Sequence, residues 1–237
     1  MHKNPAVYAS LASVLVEQND PQEALKVLSR SKAEFRFNPA AALQTAAAES
    51  RVYQKMGQAD MAQEALAQAE QLVQQLGSQV SPEMLVEVAR AQFKLGQKDK
   101  ACALLGQVIK NNHENAALSD QIESVFAGEN LLQEGHNLVL ASRQEVVDIN
   151  NRGVMLAKQG DFVQAAKLLR AAVKQLPSSE AILTNLCGLL IGQMGKQGFN
   201  DALATEAKEL LERLHELHPG NQKYHAYSQL LARLRRG

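Results

Sequence analysis

The chain has 237 residues, of which 46% are hydrophobic, and this is enough apolar material to bury a core. Its 25 basic and 25 acidic residues give a formal net charge of zero, which argues against attraction of the whole molecule to nucleic acid or to an anionic membrane. Alanine and leucine supply most of the apolar content and aromatic residues only 4%, so the composition favours helices over sheets.

The first half of the chain is predicted to form three pairs of helices, each pair with a turn signal between its two members. Proline after Asp20 and after Ser81 is typical of a helix start, and a glycine or asparagine at the turn is typical of a helix end. The three pairs and their turn residues are about 5–38 with Asn19-Asp20-Pro21, 43–76 with Gly57, and 82–115 with Gly96.

The second half continues the pattern less regularly. The pair at about 116–145 is degenerate, and Gly128-Glu129-Asn130 supplies its turn. The next pair covers 146–179, with Gly160-Asp161 between its helices. The pair at 180–219 carries an insert, Gly192 to Asp201, whose glycines permit a mobile loop with contacts of its own, and a tolerated surface insertion is the equally good alternative. Residues 222–236 have no partner and are predicted to form a capping helix.

Small residues recur at equivalent positions of the first and of the second helices, and we call each such position a slot. The second helices carry a small residue followed four positions later by an aliphatic one, so that both lie on one helix face. These pairs of residues are Ala24/Leu28, Ala62/Leu66, Ala101/Leu105, Gly135/Val139, Ala165/Leu169 and Ala207/Leu211. The first helices carry their own small slot at Ala12, Ser50, Ala89, Gly153 and Cys187, and only Glu123 breaks the series.

The copy from Ile149 to Pro177 is the most regular, with small residues where two helices must approach and Leu156, Phe162 and Leu169 between them. This spacing resembles the tetratricopeptide repeat, a helix–turn–helix unit of 34 residues. The resemblance implies an all-α, right-handed superhelical solenoid of about six repeats plus the capping helix. It also implies a single domain over residues 1–237, with a concave groove lined by the first helices.

The sequence carries no constellation typical of an enzyme, and we expect no catalytic, cofactor-binding or metal site. The histidine cluster His215, His218 and His225 is explained by the negative end of a helix dipole. Cys102 and Cys187 occupy packed slots and form no zinc pattern, and no apolar run could span a bilayer. These features favour a reduced, cytoplasmic setting.

The repeats therefore predict a non-catalytic scaffold that binds a partner segment in its groove. Basic side chains recur at matching depth in the first helices, and amides flank them, so we expect a protein or peptide partner of acidic character rather than nucleic acid or membrane. In the resembled family these positions face the groove or lie near its edge, so the resemblance implies the groove residues Arg51, Gln54, Lys55, Arg90, Phe93, Lys94, Asn150, Lys158 and Asn185. An alternative for the three lysines is that a cation in the last helical turn complements the helix dipole without any ligand.

A second functional reading stays open. The stretch from Asp148 to Leu234 resembles the repeat region that follows receiver domains in some bacterial response regulators. That resemblance implies an output or regulatory module of a larger bacterial signalling protein. The sequence does not identify the partner or the oligomeric state.

Overall fold

The structure is a computed structural model that describes residues 4–236, and within this range it contains helices and no β-strand. The all-α prediction is therefore confirmed. The helices are α1 Pro5–Glu17, α2 Pro21–Glu34, α3 Pro39–Lys55, α4 Ala59–Leu76, α5 Pro82–Lys94, α6 Lys98–Asn111, α7 Ala116–Ala127, α8 Leu132–Lys158, α9 Phe162–Gln175, α10 Glu180–Gln197, α11 Asp201–Leu217 and α12 Lys223–Leu234, and a short 3-10 turn, Gly77–Gln79, follows α4.

Several helices begin at a polar cap followed directly by proline. The Asp20 carboxylate accepts a hydrogen bond from the backbone N–H of Glu23 at 3.1 Å, and Asn38 accepts one from Ala41 at the same distance. Proline fits the first helical position because the N–H that it lacks would have no partner there. The cap–proline pairs are Asn4-Pro5, Asp20-Pro21, Asn38-Pro39 and Ser81-Pro82.

Five helix ends share one hydrogen-bonded turn. At the end of α3, the N–H of Gln58 donates to the Tyr53 carbonyl at 2.9 Å and the N–H of Gly57 donates to Gln54 at 3.0 Å. This Schellman geometry requires a left-handed residue at the turn, a conformation that glycine and asparagine tolerate. The five left-handed residues are Asn19, Gly57, Gly96, Asn130 and Gly160, with φ between 59° and 83°.

The helices pack as two compact units. Unit 1 consists of Met1–Val108 and Asp120–Gly135, and unit 2 of Ile109–Ser119 and His136–Gly237. In unit 1, α3 packs against α1, α2, α4 and α5, and in unit 2, α10 packs against α9, α11 and α12. The single domain over 1–237 stays a prediction.

The small slots lie where paired helices come closest. Ala24, Ala62, Ala101, Ala165 and Ala207 are all fully buried, as are the first-helix slots Ala12, Ser50, Ala89 and Cys187. The Ser50 hydroxyl donates to the Ala62 carbonyl at 2.8 Å, and the Cys187 thiol lies 3.8 Å from the Ala207 carbonyl. In both pairs the slot residue of the first helix thus faces the backbone of the slot residue in the second helix, as the repeat pattern predicts.

Polar pairs link each repeat to the next at a constant distance along the chain. In each pair the two residues are 35 or 36 positions apart, which is about one repeat, and their polar atoms lie 2.5–3.1 Å apart. The pairs are Arg51–Glu87, Lys94–Glu129 and Lys98–Glu134 in unit 1, and Lys110–Glu145, Asn150–Asn185 and Arg170–Glu206 in unit 2.

The break expected near residue 146 is absent, because α8 is one helix of 27 residues from Leu132 to Lys158. It contains both the second helix of the fourth predicted pair and the first helix of the fifth. Residues 141–151 include no glycine or proline, so nothing interrupts the helical hydrogen bonds. The Gln144 amide also donates to Asp148 at 2.7 Å, one turn further along the helix.

The insert between the helices of the sixth pair is largely helical rather than a mobile loop. Helix α10 continues to Gln197, and only residues 198–200 connect it to α11. Each glycine costs a helix about 1 kcal/mol. This cost is offset because Ile191 and Met194 are buried in the core of unit 2 and Lys196 lies 5.3 Å from the Phe162 ring.

The predicted capping helix is α12, and it packs on α10 and α11 of unit 2. Tyr224, Tyr227, Leu231 and Leu234 contact the core, and a Cβ added to Gly188 would come within 2.6 Å of the Tyr227 hydroxyl. Glycine at position 188 therefore allows the capping helix to approach α10 closely.

We expect Ala165→Phe to lower the free energy of unfolding by about 3 kcal/mol or more, because the slot is fully buried and has no room for a ring. Val163→Phe, two residues away at a position that is 71% exposed, is the matched control and should change stability by less than about 0.5 kcal/mol. Urea denaturation followed by circular dichroism measures both. Equal stability of the two variants would contradict the close helix contact at Ala165.

We expect Met194→Ala to lower the free energy of unfolding by about 2–3 kcal/mol, because the side chain is buried in a part of α10 that the sequence alone suggested to be a loop. The neighbouring Gln193 is exposed, so Gln193→Ala should be close to neutral. Thermal unfolding of the two variants under identical conditions makes the comparison. A neutral Met194→Ala would mean that this segment does not pack as part of α10.

Candidate functional site

The first helices of four successive repeats line one recess in unit 1. It consists of two cavities of about 490 Å³ and 450 Å³, which share Ser13, Glu17, Arg51 and Arg90 in their walls. Helices α1, α3, α5 and α7 each contribute to the larger cavity. We call this recess the first-helix groove.

Arg51 is the central polar side chain of the groove, and only 15% of its side chain is exposed. One Nη donates to the Ser13 hydroxyl at 3.2 Å, and the same atom lies 2.9 Å from a carboxylate oxygen of Glu87. Burial lowers the pKa of Arg51, while Glu87 raises it and Arg90 lowers it further. The guanidinium stays charged because the ordinary pKa of arginine is far above neutral pH.

The other cations of the groove are paired with acids, with one exception. The Nε atom of Arg90 lies 3.4 Å from the second oxygen of Glu87, and Lys94 lies 2.6 Å from Glu129. Lys55 lines the larger cavity and makes no ion pair with any residue that the structure describes. The charged lining residues are Arg51, Lys55, Arg90 and Lys94 against Glu17, Glu83, Glu87 and Glu129, four of each sign. The groove is balanced in charge, whereas the sequence had suggested a basic one.

Five of the nine predicted groove residues come together in this groove, and they are Arg51, Gln54, Lys55, Arg90 and Lys94. Phe93 does not join them. Its side chain is only 7% exposed and packs edge to face on Phe126 with a ring-centroid distance of 5.0 Å. Position 93 lies on the core face of α5, so its aromatic ring stabilises the packing of α5 on α7 and does not face a partner.

The remaining three predicted residues belong to unit 2 and form a separate set. The Asn185 amide donates to the Asn150 side-chain oxygen at 3.1 Å, which joins α10 to α8. Lys158 is exposed in the last turn of α8, where a cation complements the helix dipole. None of the three lines the first-helix groove.

The sequence reasoning missed the acidic residues that partner the cations. Glu87 stands three positions before Arg90 on α5, a spacing that places two side chains on one helix face and could have indicated this contact. Its contact with Arg51, and that of Lys94 with Glu129, join residues a full repeat apart. Local spacing does not reveal such pairs.

Histidine and cysteine side chains outside the groove have structural partners. His215 stacks on Tyr224 at 4.5 Å, and a ring nitrogen of His218 lies 2.7 Å from the Ser178 carbonyl. Burial raises the pKa of the Cys187 thiol to about 12, so the thiolate that a nucleophile needs does not form near neutral pH. Within residues 4–236 no three acidic, histidine or cysteine side chains are grouped to hold a metal. No helix of that range is long and apolar enough to cross a membrane.

Comparison with known protein families identifies the repeat type. The family model of the tetratricopeptide repeat matches residues 83–112, which cover α5 and nearly all of α6. This match confirms the predicted repeat in the third helix pair, and tetratricopeptide repeats generally serve in protein–protein interaction. No curated protein matches the chain significantly.

Several solved structures are similar to the chain at low identity. A human IFIT1 dimer with m7Gppp-AAAA is 18% identical over 99% of this chain and 65% of its own, with a TM-score of 0.33. A protein of Podosopora anserina described as a kinesin light chain with nearly identical TPR-like repeats is 22% identical over 93% of this chain and 99% of its own, with a TM-score of 0.35. The C-terminal part of a TPR repeat-containing protein from Cytophaga hutchinsonii is 17% identical over 92% and 83%, with a TM-score of 0.33.

The chain spans 64–66% of the length of the IFIT1 chains. All of these TM-scores are below 0.5.

We expect Glu87→Ala to lower the free energy of unfolding by about 2 kcal/mol, because it leaves the buried Arg51 guanidinium without its carboxylate. Glu83→Ala is the matched control, since Glu83 lines the same groove one turn earlier on α5 but makes no ion pair with a described residue. Chemical denaturation of both variants tests this. A Glu87→Ala variant as stable as Glu83→Ala would contradict the role of Glu87 as counter-ion.

Proposed function

We propose that the chain is a non-catalytic scaffold that holds an extended segment of a partner protein in the first-helix groove. The main support is that four successive first helices line two adjoining cavities with four wall residues in common, which gives a partner segment room to lie along several repeats. Tetratricopeptide repeats generally mediate protein–protein interactions, and the match at residues 83–112 lies next to this groove.

The chemistry of the groove favours a polar segment with few charges. Gln54 and Arg90 offer hydrogen-bonding groups to a partner backbone, and the charges of the lining cancel. Lys55 makes no ion pair with an acid among residues 4–236, so an acidic side chain of the partner can pair with it. We therefore expect the partner segment to contribute only one or two acidic side chains to the groove, and not to be acidic throughout.

We also infer a reducing, cytoplasmic setting. Cys102 and Cys187 are both free, and unpaired thiols persist where the cell keeps its cysteines reduced. Cys187 is buried in a helix–helix slot, where it acts as a small apolar side chain.

The test uses a segment of the partner obtained by affinity capture from the source cell and peptide mapping. We expect the double variant Lys55→Gln/Arg90→Gln to weaken binding of that peptide about tenfold, equivalent to about 1.4 kcal/mol. Lys26→Gln/Lys167→Gln removes the same charge from the outer surfaces of α2 and α9, where both lysines are exposed, and should bind like the wild type. Isothermal titration calorimetry measures all three affinities.

Hydrogen exchange on the complex gives an independent readout. The proposal requires that the peptide protect amides of α1, α3, α5 or α7 rather than of the second helices. Equal loss of affinity in both double variants, or protection confined to second helices, would overturn the proposed groove.

A further inference from the structure

The two cavities of the first-helix groove follow one another along its helices. The larger cavity is lined by late positions of the first helices, such as Lys55 in α3 and Lys94 in α5. The smaller cavity is lined by early positions, such as Ala6 in α1 and Glu83 in α5. We call the side of the larger cavity the carboxyl end of the groove and the side of the smaller cavity its amino end.

The charges of the groove are divided unequally between these two ends. At the carboxyl end four basic residues face two acidic ones, and they are Arg51, Lys55, Arg90 and Lys94 against Glu17 and Glu129. At the amino end two basic residues face three acidic ones, and they are Arg51 and Arg90 against Glu17, Glu83 and Glu87. The balanced charge of the whole groove therefore consists of a positive end and a negative end.

One exposed charge without an ion pair marks each end. Lys55 at the carboxyl end and Glu83 at the amino end are both exposed, and within residues 4–236 neither makes an ion pair. In contrast, Lys94 is compensated by Glu129 at 2.6 Å. Glu17 is exposed as well, but it borders both cavities and does not distinguish the two ends. A bound segment therefore meets uncompensated charge of opposite sign at Lys55 and at Glu83.

Helix dipoles do not remove this difference between the ends. A lysine in the last turn and a glutamate in the first turn each complement the dipole of their own helix, but the end of a helix carries only about half a unit charge. At the carboxyl end that partial charge is also offset, because the positive start of a second helix follows directly. Helix α3 ends at Lys55 and α4 begins at Ala59, and α5 ends at Lys94 and α6 begins at Lys98.

We propose that the groove binds its partner segment in one orientation, with an acidic side chain of the segment at Lys55 and a basic side chain at Glu83. Complementary charges of this kind select and orient a partner more than they add affinity. The inference rests on the proposed function, and it adds the charge pattern that the segment must carry.

The length of the helices sets the spacing of the two charges in the segment. Lys55 and Lys94 occupy equivalent positions, each two residues before the turn glycine, and Glu83 lies near the start of the helix that ends at Lys94. At about 1.5 Å per helical residue, the levels of Glu83 and Lys94 are about 16 Å apart. An extended chain rises about 3.3 Å per residue, so the acidic and the basic residue of the segment should stand about five positions apart.

Selection of a phage-displayed library of random peptides of about twelve residues on the full chain tests the proposal. We expect the wild type to enrich peptides with one acidic and one basic residue about five positions apart. Lys55→Glu should enrich peptides with two basic residues, and Glu83→Lys peptides with two acidic residues. The double variant Lys55→Glu/Glu83→Lys should again enrich peptides with one charge of each sign.

Two controls separate the charge pattern from effects on folding. Lys167→Glu and Glu64→Lys reverse the same charges at exposed positions of second helices, and they should select the same peptides as the wild type. Thermal unfolding of the groove variants should match the wild type, since neither Lys55 nor Glu83 is paired. For one synthetic peptide from the selection, each reversal should weaken binding about two- to fivefold, the effect of one exposed ion pair. This difference should shrink at about 0.5 M salt.

The possible outcomes distinguish the orientation from the groove itself. Enriched peptides that protect first-helix amides from exchange but share no charge pattern would overturn the orientation and leave the proposed groove intact. A pattern that neither reversal changes would overturn it in the same way. If no peptide is enriched, or if the enriched peptides protect only second helices, the proposed function fails and the orientation fails with it.

Discussion

The whole fold depends on how closely the two helices of each pair approach. At the crossing, the side chain of Ser50 reaches the carbonyl of Ala62, and Cys187 stands in the same relation to Ala207. A larger residue in either slot would push the helices apart and remove the aliphatic residue four positions later from the core. Once the crossing is fixed, the left-handed turn residues and the proline-started helices set the direction of the next helix, and the successive first helices line the groove of unit 1.

The elements that local chemistry determines were predictable from the sequence. Small slots, helix caps and turn residues act within a few positions, so their pattern indicated the repeat type and most helix ends, including the Asn130 turn of the degenerate fourth pair. The lengths of α8 and α10 did not follow from these local signals. Nothing in 141–151 stops a helix, and burial of Met194 offsets the cost of the glycines around it, so both helices run past the boundaries expected for a standard repeat.

The candidate site shows where reasoning from one sequence reaches its limit. The family resemblance indicated which first-helix positions lie at the groove, and five of the nine predicted side chains line it. The predicted basic charge of the groove was wrong because each basic residue was considered without the acidic residue that pairs with it. Arg51 and Glu87, or Lys94 and Glu129, are neighbours only after two repeats have stacked, and the same is true of the contact that buries Phe93 against Phe126.

The polar pairs that join residues 35 or 36 positions apart have a consequence for the synthesis of the chain. A pair such as Arg170–Glu206 can form as soon as about one more repeat has left the ribosome, since neither residue has to wait for a distant segment. At a translation rate of about 5–20 residues per second, one such contact becomes available every few seconds. The nascent protein can thus fold cotranslationally from its N-terminus, and each new hairpin is stabilised by the one made just before it.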